Sequence, residues 1–234
     1  MGHVLALNPS DPLRLPMHVV FVLWDRILLL PEQLVNLQEQ ANSLYAKTGR
    51  PLRLHLVNNN AKHVGLVDKI VEDFCVANIW GGWCDNHHLN FSITVSHQVE
   101  NWHAYARFLY VAMLRRTVPI DNVIFIDDDQ LWPGDYILSM AESYAPKTSS
   151  HWYGKIFLES KTKLVDYWAT SINMDGIRAK ERMDIARWRY GGPGGSIYST
   201  DLWLYDKELF RLSDDLVRFH DYDDIWVSDI STDT

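Results

Sequence analysis

The chain has 234 residues, of which 47% are hydrophobic and 22% are charged, a composition typical of one globular domain with a sizeable apolar core. Its formal net charge of -8 argues against a non-specific nucleic-acid binder, because such a protein carries a basic surface. The acidic balance leaves room for a small anionic ligand, since one metal ion and a few arginines reverse the sign of the charge locally.

The N-terminal part of the chain alternates between apolar runs and segments with helical spacing. After an arm at residues 1–16, runs of β-branched and apolar residues predict strands, and apolar residues three and four apart predict helices. Pro31 suits the first turn of a helix, and Gly49 suits its end. The predicted order is strand 18–24, helix 31–47, strand 52–57, helix 64–74, strand 91–95, helix 100–116 and strand 122–126. This alternation predicts an α/β fold with a mainly parallel central sheet flanked by helices.

The C-terminal part is less regular and predicts a mixed half. A helix is expected from Pro133 to Tyr144, and the polar segment 173–187 is either helical or mobile. Further strands are predicted at 153–158, 164–169 and 196–198. With no internal repeat and no linker, we expect a single domain over 1–234, with a nucleotide-binding half at about 17–130 and a second half at about 131–234.

The cysteines and the apolar runs indicate neither a disulfide framework nor a membrane protein. Cys75 and Cys84 form no CxxC pair of the kind that binds zinc, and we expect two free thiols in a reducing compartment. Asp25 and Arg26 interrupt the apolar run at 19–30, so no transmembrane segment is predicted. Without a signal peptide the expected location is cytoplasmic. The end at Thr234 lacks a closing element, which favours a domain cut from a longer protein.

Three adjacent carboxylates, Asp127, Asp128 and Asp129, follow the apolar run at 122–126. The carboxyl ends of strands are where open α/β sheets bind ligands. Adjacent acids repel one another unless a cation or hydrogen-bond donors offset them, and carboxylate oxygens suit Mg²⁺ or Mn²⁺. We therefore expect Asp127 and Asp129 to bind a metal ion, with Asp128 facing a ribose or sugar hydroxyl. The alternative is a solvated turn after a strand.

Two later features could complete such a site. The glycine loop at 191–195 allows backbone N–H groups to approach a ligand, and Ser196 follows it, although a tight turn before a strand would show the same pattern. A second acidic cluster holds Asp223 and Asp224, either of which could act as a general base, although acids are also common at a helix N-terminus. His220, beside this cluster, is a candidate metal ligand.

The order of these features resembles that of a GT-A-type nucleotide-sugar glycosyltransferase, whose fold is Rossmann-like. The resemblance covers about 18–228, and its most specific part is the Phe-Ile-Asp-Asp-Asp sequence at 125–129. The sequence Asp-Asp-Asp-Gln-Leu-Trp-Pro at 127–133 is similar to glycosyltransferase domains of large algal (chlorella) viruses, which implies the host cytoplasm as location. The resemblance implies an Mn²⁺- or Mg²⁺-dependent transfer of a sugar from a nucleoside-diphosphate sugar, with UDP-sugar favoured, to the hydroxyl of a glycan or another acceptor.

The resemblance also implies roles for individual residues. Asp127 and Asp129 match the DxD motif that holds the metal against the donor diphosphate, and Asp223-Asp224 match an acid pair whose second member is the base, here Asp224. The nucleotide pocket is expected to involve Leu23, Trp24, Arg26, Asn58, Asn101 and Arg107. The loop facing the donor sugar and the acceptor is expected to involve Gly194, Gly195 and Ser196.

Two departures weaken the expected inverting mechanism, and two other functions remain open. No histidine follows Asp224, and Asp223 stands where the family pattern has Glu. A haloacid-dehalogenase-type phosphatase also places DxD at a strand end, but on the first strand and with Thr or Val two residues on, whereas here Gln130-Leu131 follow the fourth strand. A non-catalytic nucleotide-sugar- or carbohydrate-binding module could keep the fold without a base.

Overall fold

The computed structural model describes residues 15–78, 90–102, 105–157, 171–175, 188–191 and 195–200. Within them the chain forms nine strands and four α-helices. The strands are β1 Met17–Leu23, β2 Leu52–Asn58, β3 Phe91–His97, β4 Asn122–Asp127, β5 Ser149–His151, β6 Tyr153–Phe157, β7 Ser171–Asp175, β8 Trp188–Gly191 and β9 Ser196–Ser199. The helices are α1 Leu30–Thr48, α2 Val64–Asn78, α3 Ala106–Leu114 and α4 Tyr136–Glu142.

Six strands form the central sheet in the order β3-β2-β1-β4-β9-β5. The strands β1 to β4 are parallel, and β9 runs antiparallel to both β4 and β5. The strands β7, β6 and β8 form a second, antiparallel sheet. The predicted α/β fold with a mainly parallel sheet flanked by helices is confirmed, and the mixed character of the C-terminal part agrees with the antiparallel strands.

The two faces of the central sheet bury different residues, because successive side chains of a strand point to opposite sides. On β1, Phe21 and Leu23 pack in a core cluster with residues of α1, α2 and α4, whereas Val20 and Val22 pack in a cluster with residues of α3. All seven residues of β1 are buried. Burial of each such aliphatic side chain stabilises the folded state by about 1.5–3 kcal/mol. Because all of its residues are buried, β1 lies at the centre of the fold.

Several predicted bounds need correction. The helix predicted at 100–116 is shorter and spans Ala106–Leu114. Asn59 accepts a hydrogen bond from the Trp102 N–H at 2.9 Å and so holds Trp102 out of the helix. The helix predicted from Pro133 begins only at Tyr136. The strands β5, β7 and β8 were not predicted, and β7 shows that residues 173–175 are extended rather than helical or mobile. The strand predicted at 164–169 lies outside the described residues.

The prediction of free thiols is wrong for Cys75, which lies on α2 and is disulfide-bonded. The one other cysteine in the sequence, Cys84, lies outside the described residues. Disulfides persist in oxidising compartments, so the thiol argument for a reducing compartment falls. Across the described part of the chain, no helix combines the length and the apolar character needed to cross a membrane.

Candidate functional site

The strand order reverses between β1 and β4. From β1 the chain adds β2 and then β3 on one side, and it returns to place β4 on the other side of β1. The crevice beyond the carboxyl ends of two such strands is the usual ligand site of an open α/β sheet. The register pairs Val22 with Asp127, so the loop after β1 lies directly beside the three aspartates.

Asp127 forms an ion pair with Arg107 on α3. The Arg107 Nη2 donates to Asp127 Oδ1 at 2.8 Å, and both side chains are largely buried. The Arg107 guanidinium also lies 5.9 Å from the centre of the Phe125 ring. A charge-assisted pair at this depth is stronger than a surface pair, because water screens it less. The pair therefore fixes an arginine beside the first carboxylate.

Asp128 holds the loop after β1 instead of facing a ligand. Its Oδ2 accepts from the Trp24 N–H at 2.8 Å and from the Arg26 N–H at 3.5 Å, and its Oδ1 accepts from Arg26 Nη1 at 3.1 Å. Asp128 is buried. The expectation that its carboxylate faces a ribose or sugar hydroxyl is therefore corrected: the strand ends at Asp127, and the following turn aims Asp128 at β1.

Asp129 is the most exposed of the three, with 43% of its side chain accessible and Arg26 Nη1 3.7 Å from its Oδ2. Burial of the carboxylate raises its pKa, and the negative charges of Asp127 and Asp128 raise it further, against the opposing effect of Arg26. Apart from burial, the repulsion from the two neighbouring carboxylates outweighs the attraction of Arg26 in raising this pKa. A bound cation would remove this repulsion.

The next strand contributes three asparagines, which connect the loops. Asn58 is fully buried, and its Oδ1 accepts from the Asn60 N–H at 3.1 Å. Asn60 Nδ2 in turn donates to the Trp24 carbonyl at 3.2 Å. Asn59 Nδ2 donates to Asn101 Oδ1 at 2.7 Å. These bonds fix the loops after β1, β2 and β3 relative to one another, so the sheet edge is preorganised.

The predicted nucleotide-pocket residues fall into two groups. Trp24 is 44% exposed and the Arg26 side chain 56%, both in the loop beside the aspartates, and Asn101 after β3 is also exposed. Leu23 and Asn58 are fully buried, and Arg107 is buried in its ion pair with Asp127. A ligand at this edge could therefore meet the side chains of the first group, whereas Leu23 and Asn58 act from beneath by shaping the loops.

The start of β9 brings the end of the glycine loop to the same edge. Ser196 pairs with Phe125, so Gly195 lies beside the end of β4. Ser196 is buried, and Gly195 has a φ of +118°, a conformation that favours glycine. A Cβ on Gly195 would overlap the Tyr136 hydroxyl. The glycine is therefore required here by both its backbone conformation and this close approach.

Tyr136 and Trp152 adjoin the site and were missed in the sequence. The Tyr136 hydroxyl is buried without a hydrogen-bond partner among the described residues. Burial raises the pKa of Tyr136, and the charge of Asp127 raises it further, which keeps the hydroxyl protonated. Trp152 is 42% exposed, and its backbone N–H donates to the Gly195 carbonyl at 3.0 Å. No pattern in the sequence places either residue beside the aspartates, so their position at the site depends on tertiary structure.

Asp127 and Asp129 could supply some of the ligands of a metal ion, and a phosphorylated ligand and water would supply the others. No group of three or more His, Cys, Asp or Glu residues able to hold a metal is present within the described ranges. Mg²⁺ and Mn²⁺ commonly take one or two protein carboxylates together with phosphate oxygens and water. Asp129, with its raised pKa, and the neighbouring Asp127 supply such a pair, so these residues fit a cation bound together with a phosphorylated ligand.

Four predicted site residues lie outside the described residues: Gly194, His220, Asp223 and Asp224. The described part of the site therefore comprises the acidic cluster, its arginines, the asparagine loops and the start of β9.

Known proteins resemble this chain only in three-dimensional structure. No protein-family model and no curated protein matches the sequence. One similar structure is the galactosyltransferase LgtC in complex with donor and acceptor sugar analogues, with a TM-score of 0.45 and 15% identity, covering 89% of this chain and 66% of that one. Another is an inositol-1-phosphate CTP transferase from T. maritima, with a TM-score of 0.44 and 12% identity, covering 84% and 75%.

A third similar structure is the apo-form glycosyltransferase GlyE of Streptococcus pneumoniae TIGR4, with a TM-score of 0.32, 11% identity and coverage of 73% of this chain and 36% of that one. The chain thus spans about two thirds, three quarters and one third of the length of these three proteins. All three TM-scores lie below 0.5, and at this level a likeness assigns no activity to the chain.

Proposed function

We propose that the chain is a GT-A-like, metal-dependent glycosyltransferase that moves a sugar from a nucleoside-diphosphate sugar to an acceptor hydroxyl. The observation that carries the proposal is the acidic cluster Asp127–Asp129 at the switch point between β1 and β4, flanked by Arg26 and Arg107. Carboxylates for a cation and the exposed Arg26 for phosphate oxygens within one crevice suit a diphosphate.

The β1 side of the crevice would bind the nucleoside. Hydrogen bonds from the Trp24 N–H to Asp128 and from Asn60 to the Trp24 carbonyl hold the loop Trp24–Arg26 in place. A fixed polar loop with an exposed tryptophan suits a base and a ribose. Arg26, whose side chain is 56% exposed, can turn from Asp128 and Asp129 toward a phosphate at little cost. A UDP-sugar is the favoured donor.

The acidic cluster would hold Mn²⁺ or Mg²⁺ through Asp127 and Asp129, with His220 as a further ligand. When bound, the cation stabilises as a Lewis acid the negative charge that develops on the departing diphosphate. Arg107 stays beside Asp127 and offsets the charge of that carboxylate. Asp224 would then remove the proton from the acceptor hydroxyl, with Asp223 beside it, in an inverting transfer. Gly194, Gly195 and Ser196 would face the transferred sugar.

A donor screen tests this proposal. The full chain is incubated with a panel of UDP- and GDP-sugars, with Mn²⁺ or with a chelator, and the release of nucleoside diphosphate is measured. We expect UDP release from at least one UDP-sugar in the presence of Mn²⁺ and none with the chelator. Release of phosphate from a simple monoester without UDP release would instead identify a phosphatase, and nucleotide-sugar binding without turnover would identify a binding module.

A further inference from the structure

Trp152 is an exposed aromatic residue fixed to the edge of the central sheet. It directly follows β5, and 42% of it is accessible. Its backbone N–H donates to the Gly195 carbonyl at 3.0 Å, which ties it to the start of β9. A single exposed aromatic residue is ordinary on a protein surface, so the position of Trp152 beside the proposed ligand crevice, and not its exposure alone, bears on function.

Tyr136 supports the Trp152 ring from beneath. The two ring centroids are 5.2 Å apart, with the planes at 69°, which is the edge-to-face arrangement that aromatic pairs favour. Tyr136 is fully buried and belongs to the core between the sheet, α1 and α4. Because this support holds the indole in place, a ligand that packs on it costs little side-chain entropy.

The strand register gives the position of Trp152 relative to the acidic cluster. His151 pairs with Ser196, and Ser196 pairs with Phe125, two residues before Asp127. Two strand spacings, about 10 Å, therefore separate the end of β5 from the end of β4. Gly195 lies beside the end of β4, and the Tyr136 hydroxyl occupies the space that a side chain would take there. A ligand that extends about 10 Å along the sheet edge from the aspartates would therefore meet Trp152.

The two sides of the acidic cluster differ in chemistry. On the β1 side, Trp24 adjoins asparagine amides and backbone groups that suit a nucleoside. On the β5 side, the indole of Trp152 is a flat and largely apolar ring. One face of a pyranose presents mainly C–H groups, which pack well against such a ring, while its hydroxyls remain free to form hydrogen bonds.

We propose that Trp152 is the platform on which a sugar ring packs, with the nucleoside on the opposite side of Asp127–Asp129. This inference rests on the proposed function and adds to it the direction in which the donor lies across the sheet edge. It also makes Trp152 a specificity-determining residue, because a platform accepts sugars whose exposed C–H face matches it.

Saturation-transfer NMR with free monosaccharides tests the platform without requiring turnover. The full chain, with UDP and the diamagnetic cation Mg²⁺ present, is mixed with millimolar glucose, galactose, N-acetylglucosamine, mannose or fucose. We expect saturation transfer to the ring C–H protons of at least one sugar, a loss of at least fivefold in Trp152→Ala, and partial recovery in Trp152→Phe. Tyr45→Ala, which removes an exposed aromatic ring from the outer surface of α1, is the matched control and should behave as the unmodified chain does.

The outcomes separate this inference from the proposed function. No saturation transfer to any sugar, or an unchanged signal in Trp152→Ala, overturns the platform even if UDP is released in the donor screen. A signal lost in Trp152→Ala while UDP release is absent keeps the platform and overturns the transferase. Calorimetric UDP affinity should change less than twofold in Trp152→Ala, and a tenfold loss would place the nucleoside on Trp152 and contradict the assignment of sides.

Discussion

Asp127, Asp128 and Asp129 are identical side chains with three different sets of neighbours. Asp127 pairs with Arg107 in a largely buried ion pair, Asp128 accepts hydrogen bonds from the β1 loop, and Asp129 is the most exposed and has a raised pKa. At this scale Asp128 positions the loop, whereas Asp127 and Asp129 are the two carboxylates that we propose for a cation. Substitutions of single aspartates should therefore have different effects.

Asp128 gives the first prediction. Asp128→Ala removes the acceptor of the partly buried Trp24 N–H, which should lower the free energy of unfolding by about 1–3 kcal/mol. Asp128→Asn keeps an oxygen acceptor and should lose less. Both are measured by urea denaturation, with Mn²⁺ affinity measured in parallel for Asp128→Asn. A loss of Mn²⁺ binding in Asp128→Asn without any loss of stability would make Asp128 a metal ligand and contradict its positioning role.

At the scale of elements, α1 holds the acidic loop with a polar stripe. Gln33 donates from its Nε2 to the carbonyls of Asp128 at 3.1 Å and Gln130 at 2.8 Å, and Asn36 Nδ2 donates to the Trp132 carbonyl at 3.1 Å. Further along the same face, Gln40 Oε1 accepts from the Ile137 N–H at 2.9 Å. The stripe fixes the chain from the acidic cluster to α4, so the rigidity of the site depends on a helix that no ligand needs to touch.

Gln33 gives the second prediction. Gln33→Ala removes the donor from two carbonyls in the interior, and we expect a loss of about 1–3 kcal/mol in the free energy of unfolding. The matched control is Glu39→Ala, an exposed position on the same helix, where a change within about 0.5 kcal/mol is expected. Denaturant unfolding measures both. Equal stability of the two variants would show that the hydrogen bonds from Gln33 to the acidic loop contribute nothing to the free energy of unfolding.

The sequence predicted the elements that depend on local signals. Pro31 and Gly49 bound α1 almost as expected, because the helix C-cap adopts the left-handed conformation with a φ of 71°. The buried positions of Gln33 and Gln40 could not be predicted, since a glutamine on a helix is ordinarily solvated. The predicted start of α3 was wrong because it depends on a residue that is distant in the sequence. Asn59, 43 positions before Trp102, accepts a hydrogen bond from the Trp102 N–H.

At the scale of the whole molecule, the strand order determines where the site is formed. Apolar patterning predicted the parallel sheet, but the pairing of β4 with β1, which creates the switch point, follows from tertiary packing. The same holds for Trp152, which a short antiparallel strand brings to the edge. The three aspartates could be found in the sequence because they are contiguous. Their partners Arg26 and Arg107 required either a resemblance or the structure.

The core also contains a buried pair of histidines on the face that packs against α3. His18 Nδ1 lies 2.9 Å from His55 Nε2, and His55 Nδ1 lies 3.0 Å from the Tyr110 hydroxyl. Burial is the main cause that lowers the pKa of His18 from 6.5 to about 4 and that of His55 to about 3. Both rings are therefore neutral in the folded protein above pH 4, whereas the unfolded chain protonates them below its pKa of 6.5.

The histidine pair gives the third prediction. Because the unfolded state binds more protons between pH 6.5 and 4, the free energy of unfolding falls as the pH is lowered through this window. We expect a loss of about 2–3 kcal/mol between pH 7 and 5.5 for the two histidines together. Urea denaturation across this range measures the loss, and a His18→Leu/His55→Leu variant should show a smaller one. Constant stability from pH 7 to 5.5 would exclude a buried neutral pair.

The most direct test of the metal-dependent donor site is a calorimetric titration of UDP into the full chain with and without Mn²⁺. We expect Mn²⁺ to strengthen UDP binding at least tenfold and Asp129→Asn to abolish this gain in affinity. The control variant Asp135→Asn, at an exposed aspartate six positions further on, should retain the gain. Equal UDP affinity with and without Mn²⁺, or an undiminished gain in Asp129→Asn, would contradict the assignment of the acidic cluster.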